Sequence, residues 1–143
     1  MLIAHILRDK GAAVHTLSAD ATLEQAAKEL STRKVGALVV LDERGGLAGV
    51  LSERDIIREV AARGAACLGD RVNAAMTRDV ITARMDETLD EGLERMTDRR
   101  IRHLPVVADG RLVGIVSIGD LVKHRIMAAE AESAAMQAYI AAQ

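Results

Sequence analysis

A chain of 143 residues, half of them apolar, has material for one domain with a real core, or for two very small ones that depend on each other. With 19 basic and 21 acidic residues and a net charge of −2, it has no global attraction for nucleic acid or acidic membranes. Its sole aromatic, Tyr139, cannot build a stacking platform for single-stranded bases. Cys67 is alone, which excludes an intrachain disulfide and suits a reducing compartment. The start, Met1 to His5, does not read as a signal peptide, and no stretch approaches the ~20 apolar residues of a membrane span. A soluble cytoplasmic protein is expected.

In chain order, Leu2, Ile3, Ile6 and Leu7 have helical spacing, and Gly11 is a stop signal. Ala13 to Leu17 is short and extended. Thr22 caps a helix, with Gln25 completing a capping box and Leu23, Ala26, Ala27 and Leu30 forming its apolar face to about Arg33. Ala37 to Leu41 and Leu47 to Leu51 are strands about the turn Asp42 to Gly46. Ser52 and Asp55 form a second capping box before a helix that runs to Gly64. Ala65 to Asp70 reads as a linker, and Arg71 to Met76 as a short helical lead-in.

The order then recurs. Val80 to Ala83 is extended, and Thr88 with Glu91 caps a helix carrying Leu89, Leu93 and Met96. Arg102 to Val107 is a strand that Pro105 should break, and Asp109-Gly110 is the turn. Leu112 to Val116 is a strand, and Ser117 with Asp120 caps a last helix that reaches nearly to Ala142. That tail either covers its own core or projects onto a second copy of the chain.

The recurrence is an internal repeat. Val14, Thr16, Asp20, Thr22, Leu23, Leu38 and Val40 lie over Val80, Thr82, Asp86, Thr88, Leu89, Leu104 and Val106; after the shorter second turn, Leu47, Gly49, Ser52 and Asp55 lie over Leu112, Gly114, Ser117 and Asp120. Each copy reads strand–helix–strand–strand–helix. Two copies are too few for a long solenoid, and a pseudo-symmetric pair about a shared core is expected.

Gly49-Val-Leu-Ser-Glu-Arg-Asp55 and Gly114-Ile-Val-Ser-Ile-Gly-Asp120 resemble the Gly-h-x-Ser/Thr-x-x-Asp signature of CBS (cystathionine β-synthase) domains. Arg102-His-Leu-Pro-Val-Val107 resembles the family's preceding strand, and Val72 to Thr77 with Val80 to Thr82 resembles the start of its repeat. The resemblance covers about residues 5 to 127. It implies an α/β fold of two pseudo-symmetric CBS repeats, β-α-β-β-α each, packed as one Bateman module with a long C-terminal helix. The boundaries follow as 5–64, 71–127 and a helical extension 128–143. It also implies a homodimer, an effector protein as partner, and an adenosine-containing ligand (AMP, ADP, ATP, NAD(H) or S-adenosylmethionine) in clefts between the repeats.

The site residues follow from the same resemblance. Asp55 and Asp120 would accept from ribose hydroxyls, and Ser52 and Ser117 would face ribose or phosphate. Thr16 and Thr82 would lie on the strands that line adenine. Val35, Leu104 and Pro105 would supply apolar walls, with Ile101. Arg54, Arg102 and His103 would answer phosphate charge, with Lys34 as the looser first-copy counterpart of Arg100. Gly36-Ala37 stands where the second copy has Arg102-His103, and Arg54 where it has Gly119, so the two sites are not expected to be equal.

Read from the residues alone, each Ser-x-x-Asp is a helix cap worth ~1 kcal/mol, like Thr22/Gln25 and Thr88/Glu91. A purely structural interaction module therefore stays open. An enzyme has little support. The histidines, at 5, 15, 103 and 124, lack metal-ligand spacing, no nucleotide-binding glycine loop is present, and neither Ser52 nor Ser117 has a base evident in sequence. Cys67 reads as a small apolar filler.

Overall fold

A computed structural model describes all residues, 1–143. The chain forms five helices, α1 (Ile3–Lys10), α2 (Leu23–Arg33), α3 (Glu53–Arg63), α4 (Leu89–Arg99) and α5 (Ile118–Ala141), and five strands, β1 (Thr16–Ser18), β2 (Ala37–Leu41), β3 (Leu47–Ser52), β4 (His103–Ala108) and β5 (Arg111–Ser117), in the order α1-β1-α2-β2-β3-α3-α4-β4-β5-α5. The chain divides into two compact units, one of Ala13–Ile81 and one of Met1–Ala12 together with Thr82–Gln143.

The Ala13–Ile81 unit carries a three-stranded sheet, β1-β2-β3, with β1 parallel and β3 antiparallel to β2. Leu38, Val40 and Leu51 are fully buried with Leu23 and Ala26 of α2. The expected linker is instead a 3-10 helix, Gly64–Gly69, which turns Cys67 into this core at 1% exposure. A small apolar side chain fills the space there, so the segment is packed structure.

In the other unit β4 and β5 form the hairpin. Asp109 and Gly110, at φ 52° and 75°, make the two-residue turn whose twist suits the flanking strands. Pro105 does not break β4. Its carbonyl accepts from the Ala83 amide, so the nitrogen of the same residue also faces away from β5 and no rung of the hairpin is lost. The effect falls on the other side. Val39, the counterpart of Pro105, donates to His15 and helps hold β1, whereas Pro105 has no N–H to give. The extended segment expected at Val80 to Ala83 shrinks to a single bridge, Ala83 with Val106.

One compact unit joins two separate stretches of chain, Met1–Ala12 and Thr82–Gln143, because the lead-in segments are exchanged. Ile3 and Ala4 of α1 donate to Glu87 and Met85, in the second repeat. Val72 and Asn73 donate to Ala21 and Ala19, in the first. The two patterns are equivalent, so α1 serves the repeat that follows it at a distance, and residues 71–76 serve the one that precedes them.

This exchange explains the glycine in each signature. A Cβ on Gly114 would sit 2.7 Å from a Leu7 methyl of α1, and one on Gly49 would sit 2.6 Å from the Thr77 carbonyl oxygen. A leucine end can turn aside; a backbone carbonyl in a bridge with Val50 cannot. Gly49→Ala is expected to cost about 2–3 kcal/mol and Gly114→Ala about 1, within the usual range for overpacking. Equal losses in urea unfolding would show that α1 packs as rigidly as the Thr77 backbone.

Candidate functional site

Both signature turns sit where a hairpin strand passes into a long helix, and both are complete capping boxes. In the Ala13–Ile81 unit the Ser52 hydroxyl accepts from the Asp55 amide at 3.3 Å, and Asp55 Oδ2 accepts from the Ser52 amide at 2.9 Å. In the other unit the corresponding distances, Ser117 with Asp120, are 3.2 and 2.8 Å. The first helical amide is also used: Glu53 donates to the Gly36 carbonyl and Ile118 to that of Arg102. Much of the anion-binding capacity of these helix starts is thus spent within the fold, and the second amide of each turn, at Arg54 and Gly119, is the one that takes no acceptor.

The two carboxylates differ in what remains. Asp55 is buried, its side chain 7% exposed, and both oxygens are engaged, since Arg58 Nη1 reaches Oδ1 at 3.2 Å. Asp120 is 25% exposed, and both of its bonds fall on Oδ2: the Ser117 amide, and Lys10 Nζ at 2.7 Å. Oδ1 takes none. Burial pushes the Asp120 carboxyl up, but Lys10 and the Ser117 hydrogen bonds outweigh it and hold the group below its ordinary 3.8. The stability this contributes is present above that ordinary value and is lost as the pH falls through the lower folded one.

Around Asp55, the ladder places Ala37 opposite Ser52, with Gly36 just before it, so Gly36, Ala37, Ser52 and Asp55 share one end of the hairpin. Lys34 is the left-handed C-cap of α2, φ 56°, and exposed; Val35 is half-buried; Arg54 is exposed. Thr16 pairs with Val39 on the opposite side of β2 from β3. Around Asp120, His103 lies opposite Ser117, while Leu104 and Pro105 are buried and Arg102 is exposed. Thr82 is half-buried, and its carbonyl accepts from Arg95 Nη1 at 2.6 Å. Arg95 also lies 2.9 Å from the buried Glu87 carboxylate, so an ion pair positions the Thr82 backbone. The first copy has Ala21 and Glu29 in those places and no such pair.

Four contributors, Lys10, Arg58, Glu87 and Arg95, escape a reading of the sequence. Arg58 stands at a helical spacing from Asp55 that offers a signal. Lys10 does not, being 110 residues from its partner. The end of α1 is fastened twice, because His124, buried on α5, donates from Nδ1 to the Asp120 carbonyl and places Nε2 3.5 Å from Asp9. At both turns the serine hydroxyl thus serves first as the cap of the helix it begins.

Comparison with known proteins agrees with the repeat. The model of the CBS domain matches twice, over residues 8–62 and 71–126. The chain is similar to the CBS domain-containing protein CBSX3, mitochondrial, of Arabidopsis thaliana, 33% identical over 146 residues that cover 96% of this chain and 71% of that one. Among solved structures, the CBS-domain containing protein ATU1752 from Agrobacterium tumefaciens matches with a TM-score of 0.85 and 43% identity, covering 87% of this chain and 92% of that one. The CBS domain pair of protein MJ0100, in complex with 5′-methylthioadenosine and S-adenosylmethionine, matches with a TM-score of 0.77 and 30% identity, covering 91% and 98%.

Proposed function

The chain belongs to the CBS domain family, and from that premise we propose that it is a regulatory module that binds an adenosine-containing ligand and signals its occupancy to a partner protein. The observation that carries this reading is the partly exposed Asp120 carboxylate with Oδ1 unbonded, on a turn whose local caps are already satisfied. A carboxylate in that position can accept from vicinal ribose hydroxyls, as an acidic residue does in dinucleotide folds. The adenosine compounds held by the MJ0100 pair support the ligand class. The base lies along the Thr82 backbone that Arg95 positions, and Arg102, His103 and the Gly119 amide serve a phosphate. Ser117 and Asp120 hold the sugar, with Leu104 and Pro105 as apolar backing.

The Ser52–Asp55 turn, with Thr16, Lys34, Val35, Gly36, Ala37 and Arg54, is the weaker of the two sites, because the Asp55 side chain is only 7% exposed. Signalling follows if the ligand favours one of two arrangements of the chain. The working form is a homodimer. A second reading, an interaction module without ligand, is favoured by one observation: Thr22/Gln25 and Thr88/Glu91 form the same capping boxes outside the signature.

A thermal shift measurement with AMP, ADP, ATP, NAD(H) and S-adenosylmethionine separates the two. A ligand at about a hundred times its dissociation constant adds ~2.7 kcal/mol, several degrees for this size. A selective shift supports the sensor, and no shift with any of them supports the interaction module.

A further inference from the structure

The Lys10 side chain competes directly for the proposed sugar-binding carboxylate. Its ammonium lies 2.7 Å from Asp120 Oδ2 and 2.9 Å from the Ile115 carbonyl, and its side chain is only 28% exposed. With the Ser117 amide also on Oδ2, that oxygen is filled. A ribose diol donating to both carboxylate oxygens must displace Lys10; one that spares it is left with Oδ1 alone.

We propose that Lys10 sets the charge of the ligand accepted at Asp120, giving up the carboxylate to ribose only where a phosphate on the same ligand takes over the ammonium. The inference rests on the adenosine-binding reading. Its physical basis is that a ribose taking the carboxylate strips the ammonium of the charge-assisted bond it holds at 2.7 Å, whereas a phosphate on the same ligand restores the pairing. The phosphate finds a second donor in the Gly119 amide, on the helical turn that carries Asp120. A neutral nucleoside leaves Lys10 without an anion, and the sulfonium of S-adenosylmethionine adds a like charge. The site therefore prefers adenine nucleotides to both.

The Ala13–Ile81 unit has no such selector. Asp55 pairs with Arg58 of its own helix, whose side chain is 70% exposed and can turn to water at little cost. No lead-in cation reaches Asp55 either. After Met76 the lead-in leaves its helical turn, and Thr77 bridges Val50.

Isothermal titration of AMP and of adenosine into the wild-type chain, Lys10→Met and Lys10→Arg tests this. The wild type is expected to bind AMP at least about tenfold more tightly than adenosine, at the low end of couplings measured between close charges. Lys10→Met should bring the two affinities to within about threefold, weakening AMP and tightening adenosine, while Lys10→Arg keeps the preference. An unchanged ratio in a folded Lys10→Met overturns the inference. Equal affinities in the wild type also overturn it, so it remains testable should the variant fail to fold. If the wild type binds neither compound, the adenosine-binding reading itself fails, and this inference with it.

Discussion

Asp120→Asn is expected to lower adenine nucleotide affinity by about a hundredfold or more, while Asp55→Asn leaves it within a few fold. Two charge-assisted bonds to ribose are lost at Asp120, each worth about 1.5–3 kcal/mol, and a factor of ten corresponds to about 1.4 kcal/mol. Asparagine keeps the reach of the side chain, so its amide oxygen can still accept from the Ser117 backbone and the turn survives. Loss of the cap alone is worth ~1 kcal/mol of stability, which unfolding without ligand reports separately. At Asp55 the ranking inverts. The carboxylate is 7% exposed and bonded through both oxygens, so neutralising it lowers stability more than binding. Calorimetric titration beside urea unfolding checks both halves, and equal loss of binding in the two variants would mean that both turns hold ligand alike.

The contrast between these two aspartates was only partly legible in the sequence. What lies within a few residues reads well. Ser52/Asp55 and Ser117/Asp120 are legible as caps because the hydrogen bonds join positions three apart, and β2 is legible because Ala37 to Leu41 is an unbroken apolar run. What depends on chain returning from far away does not read. Lys10 looks like any basic residue in the last turn of a helix, and only the packing of α1 beside Gly114 shows why it meets Asp120. A faint signal of the exchanged lead-ins exists in Ile3 and Leu7, which correspond to Val72 and Met76. Their spacing along the chain differs from that of the repeat proper, so an alignment beginning at Val14 passes them by. Pro105 misleads for a related reason: whether a proline interrupts a strand depends on which side its nitrogen faces, and that is fixed by the partner strand.

Ile126→Asp is expected to convert the proposed homodimer into a monomer without loss of fold, raising the dimer dissociation constant by about a hundredfold or more. The reason lies in the far half of α5, about 36 Å long in all. Only Leu121 and His124 of this helix are buried, and residues 129–143 are all exposed. Val122, Ile126, Ala129, Ser133, Met136 and Ile140 nevertheless recur at alternating steps of four and three, the seam of a coiled coil, with Val122, Ile126, Met136 and Ile140 between 43% and 65% exposed. Ile126 thus contributes little to its own unit, and a charge there is tolerated in the monomer. The flanking charges fit a second copy running antiparallel. With Ile126 opposite Ala129 of the partner helix, Lys123 faces Glu130 and Arg125 faces Glu132, each pair occurring twice about the two-fold axis. A parallel pairing brings only Arg125 against Glu130. Within one chain Arg125 has no stronger claim, since its distance of 3.6 Å from Asp90 joins two exposed side chains. Sedimentation of a charge-swap series distinguishes this arrangement from nonspecific apolar contact. Lys123→Glu with Arg125→Glu should weaken the dimer, and adding Glu130→Lys with Glu132→Lys should restore it. If the quadruple variant stays monomeric, the antiparallel register is wrong; if Ile126→Asp stays dimeric, the interface lies elsewhere on the chain.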